Sequence, residues 1–470
     1  MTRDDLDQLS REELIDLVLR QTQRLTEFEQ LMTEMKAELA KVHQERNDPP
    51  KPPPTSKNSS QPPSRDHKAN QSSDKPRRKH GRGSGHQKAE RLWVNNPDEI
   101  VELKPECCLA CRCELPGTTA TLVRVNQMIE LPDPKAKVIE VRQYAVKCPG
   151  CGQGYLGQPP AGLELDRVFG SRLETILVYY RHQQHMSYER TQQALHDLHG
   201  VELSQGAINR VMARAGRAAS QQLEPIITAV RQSAVVHSDE TGARVAGRRW
   251  WHWVFCTLTA VLHLVKPSRA STVIDQVMTN SQVEVWVSDC LPAQLKADVP
   301  QRQLCLAHQI RDLQRVIDQY PESWWAKAMQ TLFRAAVGLH HRRHQFSVDQ
   351  FRVQHDRLER LCEGLLKRSP PQAEALKLRD RYLKHRSHLF VFLARTDVEP
   401  TNNVAERALR PAVIHRKVTG GFRAQWGAEA YAVVASVIDT AKLQDLSPFE
   451  AIQQLFPPPA LPLPVHRTCM

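Results

Sequence analysis

Two aspartates follow apolar segments whose residues favour β-strands. Asp239 follows the run 234–238, and Asp289 follows the run 283–288. Two carboxylates held close together repel each other, so both stay ionised only beside a cation. Carboxylate oxygens are ligands that suit Mg²⁺. A single aspartate at a strand end is more often a turn former, so this pair does chemistry only if the fold brings both ends together.

A third acid lies far along the chain, in the segment 401–411. Asn402 or Asn403 is placed to cap a helix, and Glu406 then falls in its first turn. An acid there also suits the helix dipole, so the position alone leaves both roles open. Arg407 and Arg410 follow on the same helix and bring positive charge close to the acid.

The segments around the aspartates predict how they are positioned. Strand-like runs at 234–241, 250–255 and 261–265 are followed by a helical segment at 271–279 and a strand at 283–287. Three strands, a helix and a fourth strand are typical of the start of a ribonuclease H-like fold. There the first and fourth strands are neighbours, so Asp239 and Asp289 would meet. We therefore expect a catalytic domain over 229–445, with a helical insertion at about 312–395 and a tail at 446–470.

The cysteines indicate a second kind of site. Six of the 11 lie between positions 107 and 151, and they include the pairs Cys108/Cys111 and Cys148/Cys151. Each Cys-x-x-Cys pair can hold one tetrahedral ion, so 93–160 is predicted to be a ribbon with one structural Zn²⁺. The alternative is that the two Cys-x-x-Cys pairs occur by chance in a redox protein, but the sequence around them lacks a βαβ pattern. Cys107 and Cys113 are spare.

The net charge of +12 is distributed unevenly, with −5 over residues 1–48 and +8 over 49–92. The acidic segment carries an apolar heptad pattern over 10–46, which favours a coiled coil that pairs protomers. A single amphipathic helix packed on its own protein is the alternative. The basic segment starts with repeated prolines, typical of a disordered linker. Its basic run is either solvated or a phosphate-binding arm, with DNA-binding candidates Arg77, Arg78, Lys79 and Arg82.

Within a predicted helical region at 165–228, residues 171–220 have a helical period, with a glycine turn at Gly200 and a capping Ser204 before the next helix. This layout is that of a helix-turn-helix, although ordinary helical proteins share the spacing. The fold class is therefore multidomain α+β, with a coiled-coil helix, a zinc ribbon, a helical DNA-binding region and an α/β catalytic domain.

Three motifs together resemble the transposases of the insertion sequence 66 family. They are Asp239-Glu-Thr, the Cys305-Leu-Ala-His308 element with Arg311, and the block Asn402-Asn-Val-Ala-Glu406-Arg-Ala-Leu-Arg-Pro. The resemblance extends over almost the whole chain. It implies a DDE recombinase with Asp239, Asp289 and Glu406 as the triad that holds two Mg²⁺ ions. Cys305 and His308 are expected beside the site and not as metal ligands.

The resemblance also implies the partners and the location. The expected partners are double-stranded DNA, as terminal repeats and target, a second copy of the chain, and small accessory proteins. The location implied is the bacterial cytoplasm, in association with the nucleoid. The sequence contains no run of about 18 apolar residues, which argues against a membrane span. The acidic N-terminus argues against secretion. Two alternatives are a zinc-ribbon regulator without catalysis and a decayed transposase that binds DNA ends without cutting.

Overall fold

The structure is a computed structural model. It describes residues 23, 26, 29–30, 32–33, 49–55, 57–59, 93–104, 106–108, 110–115, 121–131, 134–159, 163 and 167–457. The DNA-binding candidates Arg77, Arg78, Lys79 and Arg82 lie outside these residues, as do most of the predicted heptad positions. The six described residues between 23 and 33 are helical.

The described residues form seven strands and thirteen α-helices. The strands are β1 (Ala145–Lys147), β2 (Gly154–Leu156), β3 (Val235–Val245), β4 (Arg248–Cys256), β5 (Val261–Lys266), β6 (Val285–Ser288) and β7 (Gln301–Leu304). The helices are α1 (Ser171–His182), α2 (Tyr188–His199), α3 (Gln205–Ser220), α4 (Leu223–Gln232), α5 (Thr272–Met278), α6 (Leu306–Gln319), α7 (Trp324–His341), α8 (Val348–Leu366), α9 (Ala373–Lys384), α10 (Val391–Ala394), α11 (Asn403–Thr419), α12 (Gln425–Lys442) and α13 (Pro448–Gln454).

Five strands form one mixed sheet in the order β5-β4-β3-β6-β7. The first three are antiparallel neighbours, whereas β3 pairs with β6, and β6 with β7, in parallel. The first and fourth strands of this sheet are therefore neighbours, as the order of segments predicts. This mixed α/β arrangement is compatible with a ribonuclease H-like domain.

Burial explains which segments take the central positions. All four residues of β6 are buried, which is expected of a parallel strand covered on both faces. The long hairpin β3–β4 is connected by Ala246 and Gly247, both with positive φ, as a tight two-residue turn requires. Helix α11 covers one face, where its Ala405 and Leu409 pack against Val254.

The insertion between β7 and α11 has its own apolar core. It consists of helices α6 to α10 over residues 306–394, against the predicted 312–395. Trp325 is 1% exposed at the centre of this insertion, and its indole N–H bonds to the carbonyl of Leu365 at 2.9 Å. The same hydrophobic cluster includes Val285 and Leu304 of the sheet, so the insertion and the strands share one core.

The chain divides into two compact units. One consists of residues 1–66, 159–187 and 206–470, and the other of 67–158 and 188–205. In the first unit, α3 and α12 approach so closely at Gly216 that an added Cβ would lie 2.6 Å from the Cβ of Ala430. In the second unit, β1 and β2 form an antiparallel hairpin. Among the described residues, no helix is both long and apolar enough to cross a bilayer.

The Pro-rich segment ahead of the basic run is described in part. Asn58 is 2% exposed, and its side-chain amide donates a 2.9 Å hydrogen bond to the carboxylate of Asp318 on α6. On the same helix, Arg315 donates to the carbonyl of Asn58 at 3.0 Å, and Gln319 donates to the carbonyl of Pro49 at 2.8 Å. Pro49 and Asn58 therefore lie against α6.

Candidate active site

Asp239 lies inside β3 and not at a strand end as predicted, because the strand continues past the apolar run to Val245. It is on the face of the sheet that α11 covers. Its register partner on β4 is Val254, which packs against Ala405 and Leu409 of that helix. Side chains opposite each other on an antiparallel pair share a face, so Asp239 faces α11 as well. Its Oδ1 accepts a 2.9 Å hydrogen bond from the backbone N–H of Glu240.

Asp289 follows the last residue of β6, and its Oδ1 accepts a hydrogen bond from the N–H of Leu291 at 2.9 Å. This bond closes a turn that fixes the carboxylate at the end of the strand. Because β3 and β6 are parallel neighbours, the turn lies beside the middle of β3. The sequence therefore predicts correctly that Asp289 follows a strand adjacent to that of Asp239.

Glu406 lies in the first turn of α11, as the sequence predicts, and its backbone N–H bonds to the carbonyl of Asn402 at 3.1 Å. Its Oε1 is 3.2 Å from Nη2 of Arg311 and 3.5 Å from Nδ1 of His308. Both neighbours lie in the first turns of α6. The acid is therefore flanked by two nitrogen-bearing side chains from a different element.

The three acids lie within electrostatic reach of one another. Burial raises the pKa of Asp239 well above its ordinary value, and the nearby charges of Asp289, Glu240 and Glu406 raise it further. A bond from the Glu240 N–H opposes the shift. Among the described residues, the oxygens of Asp239, Asp289 and Glu406 do not all fall within 4.8 Å of one another.

Asn402 connects the parts of the site. It is fully buried, and its side-chain amide donates to the carbonyl of Ser238 at 2.8 Å, while its Oδ1 lies 3.2 Å from Nδ1 of His237. Its backbone N–H bonds to Sγ of Cys305 at 3.1 Å. One residue therefore links β3, the start of α6 and the start of α11. Asn402 is the N-cap residue of α11, but its side chain makes no capping hydrogen bond, contrary to the prediction, because it is bonded to β3 instead.

Cys305 and His308 lie beside Glu406, as expected from the resemblance. Cys305 is fully buried, and burial raises the pKa of its thiol to about 11, although nearby backbone N–H groups oppose the shift. Burial also lowers the pKa of His308, with a further contribution from the charge of Arg311. One ligand atom of each of Cys305, His308 and Glu406 lies within 4.8 Å of the others.

The two arginines after Glu406 are exposed on α11. Arg407 donates from Nε to the carbonyl of Asn403 at 3.3 Å. Arg410 is four residues after Glu406 and so shares its face of the helix, whereas Arg407 is turned away. The ion pair with Glu406 comes instead from Arg311, to which the sequence alone assigns no partner.

Glu240, next to Asp239, is held in a separate network that the sequence does not reveal. Strand alternation turns it to the opposite face. There Oε1 accepts hydrogen bonds from Nε and Nη2 of Arg269 at 3.0 and 2.7 Å. Oε2 accepts one from Gln294 at 2.8 Å. The acid is 8% exposed and already paired, so Asp239 is the acid of this pair that remains open to a metal ion.

The cysteine pairs form two turns with the same hydrogen-bond pattern. Cys108 N–H bonds to the carbonyl of Cys113 and Cys148 N–H to that of Gln153, both at 2.9 Å. Arg112 N–H returns to the carbonyl of Cys108, and Gly152 N–H to that of Cys148, both at 2.8 Å. Arg112 and Gly152 both have positive φ, which such a turn requires. The second turn connects β1 and β2.

Hydrogen bonds lower the pKa of one thiol in each turn. Hydrogen bonds from Cys113 lower the pKa of Cys111 to about 7, and backbone N–H groups of Cys151 and Gly150 lower the pKa of Cys148. Sγ atoms of Cys108, Cys111 and Cys113 lie within 4.8 Å of one another. Among the described residues, no third ligand atom lies within that distance of Cys148 and Cys151. The thiols of the two turns therefore do not converge on a single metal position.

The family described as Transposase IS66 family matches residues 167–430, which is more than half of the 470-residue chain. A comparison with curated proteins finds no match. The matched range includes the whole five-stranded sheet, the helical insertion and the three acids. The resemblance found in the sequence motifs is thereby confirmed, and the chain belongs to the IS66 family of transposases.

Proposed function

We propose that this transposase cuts and joins DNA at the terminal repeats of its element by metal-dependent phosphoryl transfer. Asp239, Asp289 and Glu406 would hold two Mg²⁺ ions. The observation that carries the proposal is the convergence of three acids from β3, the end of β6 and the first turn of α11. Like charges that are close together and half-buried favour a bound cation, and a set of carboxylate oxygens fits Mg²⁺.

Bound Mg²⁺ would activate the attacking water or DNA 3′-hydroxyl and stabilise the leaving oxygen. The residues of the chain supply the geometry. Arg311 pairs with one oxygen of Glu406 and so limits how that carboxylate can rotate. Asn402 fixes the α11 terminus against β3. Arg410 is exposed on the face of Glu406, where a cation stabilises charge that forms on a phosphate.

The test is cleavage of terminal-repeat DNA in Mg²⁺ by the full chain. Asp239→Asn, Asp289→Asn and Glu406→Gln should each abolish cleavage while DNA-end binding stays close to wild type. Normal cleavage by any of the three variants would exclude that acid from the triad. If the wild-type chain binds DNA ends but never cuts them, the result would favour the decayed transposase or the regulator.

We also propose that one structural Zn²⁺ is bound by Cys108, Cys111, Cys148 and Cys151. The shared hydrogen-bond pattern of the two turns and the lowered pKa values of Cys111 and Cys148 support this. Closing the ribbon then requires the two turns to approach each other when the ion binds. Cys148→Ser should lose one equivalent of zinc, whereas Cys107→Ser, at an exposed spare thiol, should keep it. Equal zinc in both variants would contradict the assignment.

The remaining parts of the proposal concern partners. The ribbon, the basic arm with Arg77, Arg78, Lys79 and Arg82, and the helices of 165–228 would bind the terminal repeats. The heptad helix would pair two protomers, so that two DNA ends are held together, and small accessory proteins would join this assembly. A truncation that lacks residues 1–48 should then bind a single end but fail to pair two ends in a gel-shift assay.

A further inference from the structure

A thiol, an imidazole and a carboxylate converge where α6 begins. Cys305 directly precedes this helix, His308 lies in its first turn, and Glu406 comes from the first turn of α11. One ligand atom of each lies within 4.8 Å of the others. Two separate elements therefore bring together three side chains of the types that bind transition metals.

His308 is the member of this set whose hydrogen bonding is incomplete. Its Nδ1 is buried and makes no hydrogen bond within the described part of the chain. The same atom lies 3.5 Å from Oε1 of Glu406. A buried ring nitrogen without a partner costs free energy, and a bound cation would remove that cost by taking its lone pair. This geometry departs from the expectation that His308 lies beside the site without binding a metal.

The separation between the His308 and Glu406 ligand atoms agrees with a single ion. Two nitrogen or oxygen ligands of a tetrahedral zinc are about 3.4 Å apart, from metal–ligand bonds of about 2.1 Å. The observed separation of 3.5 Å between Nδ1 and Oε1 is close to this value. Glu406 Oε1 also accepts from Arg311 at 3.2 Å. An ionised carboxylate oxygen has more than one lone pair, so both partners can be accommodated.

The thiol of Cys305 is placed as a metal thiolate would be. It accepts the backbone N–H of Asn402 at 3.1 Å and lies at the N-terminus of the 14-residue helix α6. Both features favour negative charge on sulfur. The sulfur is fully buried, and burial outweighs these two features and favours the neutral thiol, so a thiolate forms here only with a cation beside it.

We propose that Cys305, His308 and Glu406 bind a Zn²⁺-class transition-metal ion, separate from the zinc of the ribbon. Sulfur and imidazole ligands favour such an ion over Mg²⁺. Three protein ligands leave a fourth position for water. The ion would hold Glu406 through Oε1 and thereby fix the carboxylate that faces Asp239 and Asp289. The site does not depend on the proposed Mg²⁺ chemistry, although it shares Glu406 with it.

The test measures zinc content of the reduced full-length chain after loading with Zn²⁺ and removal of unbound ion. Cys305→Ser and His308→Ala should each contain one equivalent less than wild type, while the zinc of the ribbon remains. Cys362→Ser is the matched control, because this thiol is equally buried but lies in the core of the insertion. It should keep the wild-type content. Asp239→Asn should keep it too, which separates this site from the proposed catalytic metals.

Equal zinc content in wild type, Cys305→Ser and His308→Ala would overturn the proposal. Loss of the same equivalent from Cys362→Ser would also overturn it, because the loss would then reflect packing and not coordination. Circular dichroism checks that each variant folds. If Cys305→Ser does not fold, His308→Ala decides, since its side chain is 20% exposed and tolerates truncation better.

Discussion

The side-chain amide of Asn402 donates a 2.8 Å hydrogen bond to the backbone carbonyl of Ser238, the residue before Asp239. This bond joins the N-terminus of the Glu406 helix to the strand of Asp239. The distance between two of the three acids is therefore set by a residue that is not itself an acid.

Asn402→Ala should lower both stability and DNA cleavage. The change leaves the buried Ser238 carbonyl without this donor, which costs about 1–3 kcal/mol of unfolding free energy. Cleavage should fall further than stability explains, because α11 is no longer held against β3. Urea denaturation and cleavage rates at saturating Mg²⁺ measure the two effects. Asn403→Ala, at the adjacent exposed position, should change neither, and an equal effect of both variants would contradict this role.

The variant Glu240→Gln should show that the two adjacent acids of β3 have different roles. Glu240 is paired with Arg269 and Gln294 on the opposite face from Asp239, so its loss should destabilise the fold by about 1–3 kcal/mol. Cleavage per folded molecule should remain within about threefold of wild type. Asp239→Asn is the comparison and should abolish cleavage with little change in stability. Abolished cleavage in a folded Glu240→Gln protein would mean that Glu240 contacts the metals.

A buried histidine cluster should make the protein sensitive to mild acid. His182, His252 and His415 surround Tyr431, with ring centroids 4.7, 6.1 and 4.4 Å from it. Burial lowers the pKa of all three, that of His415 to about 3. Arg181 lowers the pKa of His182 and His415 further, whereas Asp439 opposes the shift at His182 and His252.

The direction of the pH effect follows from these lowered values. An unfolded histidine has a pKa near 6.5, so below about pH 6.5 the unfolded state takes up protons that the folded state excludes. The full free energy of unfolding is present above that pH. As the pH falls below it, this free energy should decrease by up to about 1.4 kcal/mol per pH unit for each histidine. Urea denaturation between pH 7.5 and 5 measures the slope. His415→Phe should reduce it, and an unchanged slope would exclude His415 as a source.

Residues 49–59 should be protected from protease by their contact with α6. Asn58 is buried against Asp318, so Asn58→Ala should speed tryptic cleavage after the neighbouring Lys57. Asn58→Asp should speed it more, because two carboxylates would then face each other. Lys51→Ala, at an exposed position, is the control and should leave the rate at Lys57 unchanged. Equal rates in all four proteins would mean that the segment does not stay docked.

The sequence alone determined which residues could do the chemistry and in what order the elements occur. Strand-like runs followed by Asp239 and Asp289, and a capped helix start before Glu406, are local patterns that depend on neighbouring residues. Strands β3 to β6 agree with the predicted order because alternation and apolar runs already specify which segments become strands, whereas β7 was not predicted. The motif resemblance identified the family for the same reason.

Only the tertiary structure decided how these elements are joined. The bonds of Asn402 to Ser238 and Cys305 cross 164 and 97 positions of the chain, and the pairing of Arg311 with Glu406 crosses 95. No periodicity encodes such contacts, because they depend on how α6 and α11 pack against the sheet. The same holds for Nδ1 of His308, which has no hydrogen-bond partner in the part of the chain that the structure describes. Cys305 is close to His308 in the sequence, whereas the Glu406 carboxylate that completes this set of three side chains is brought there by the fold.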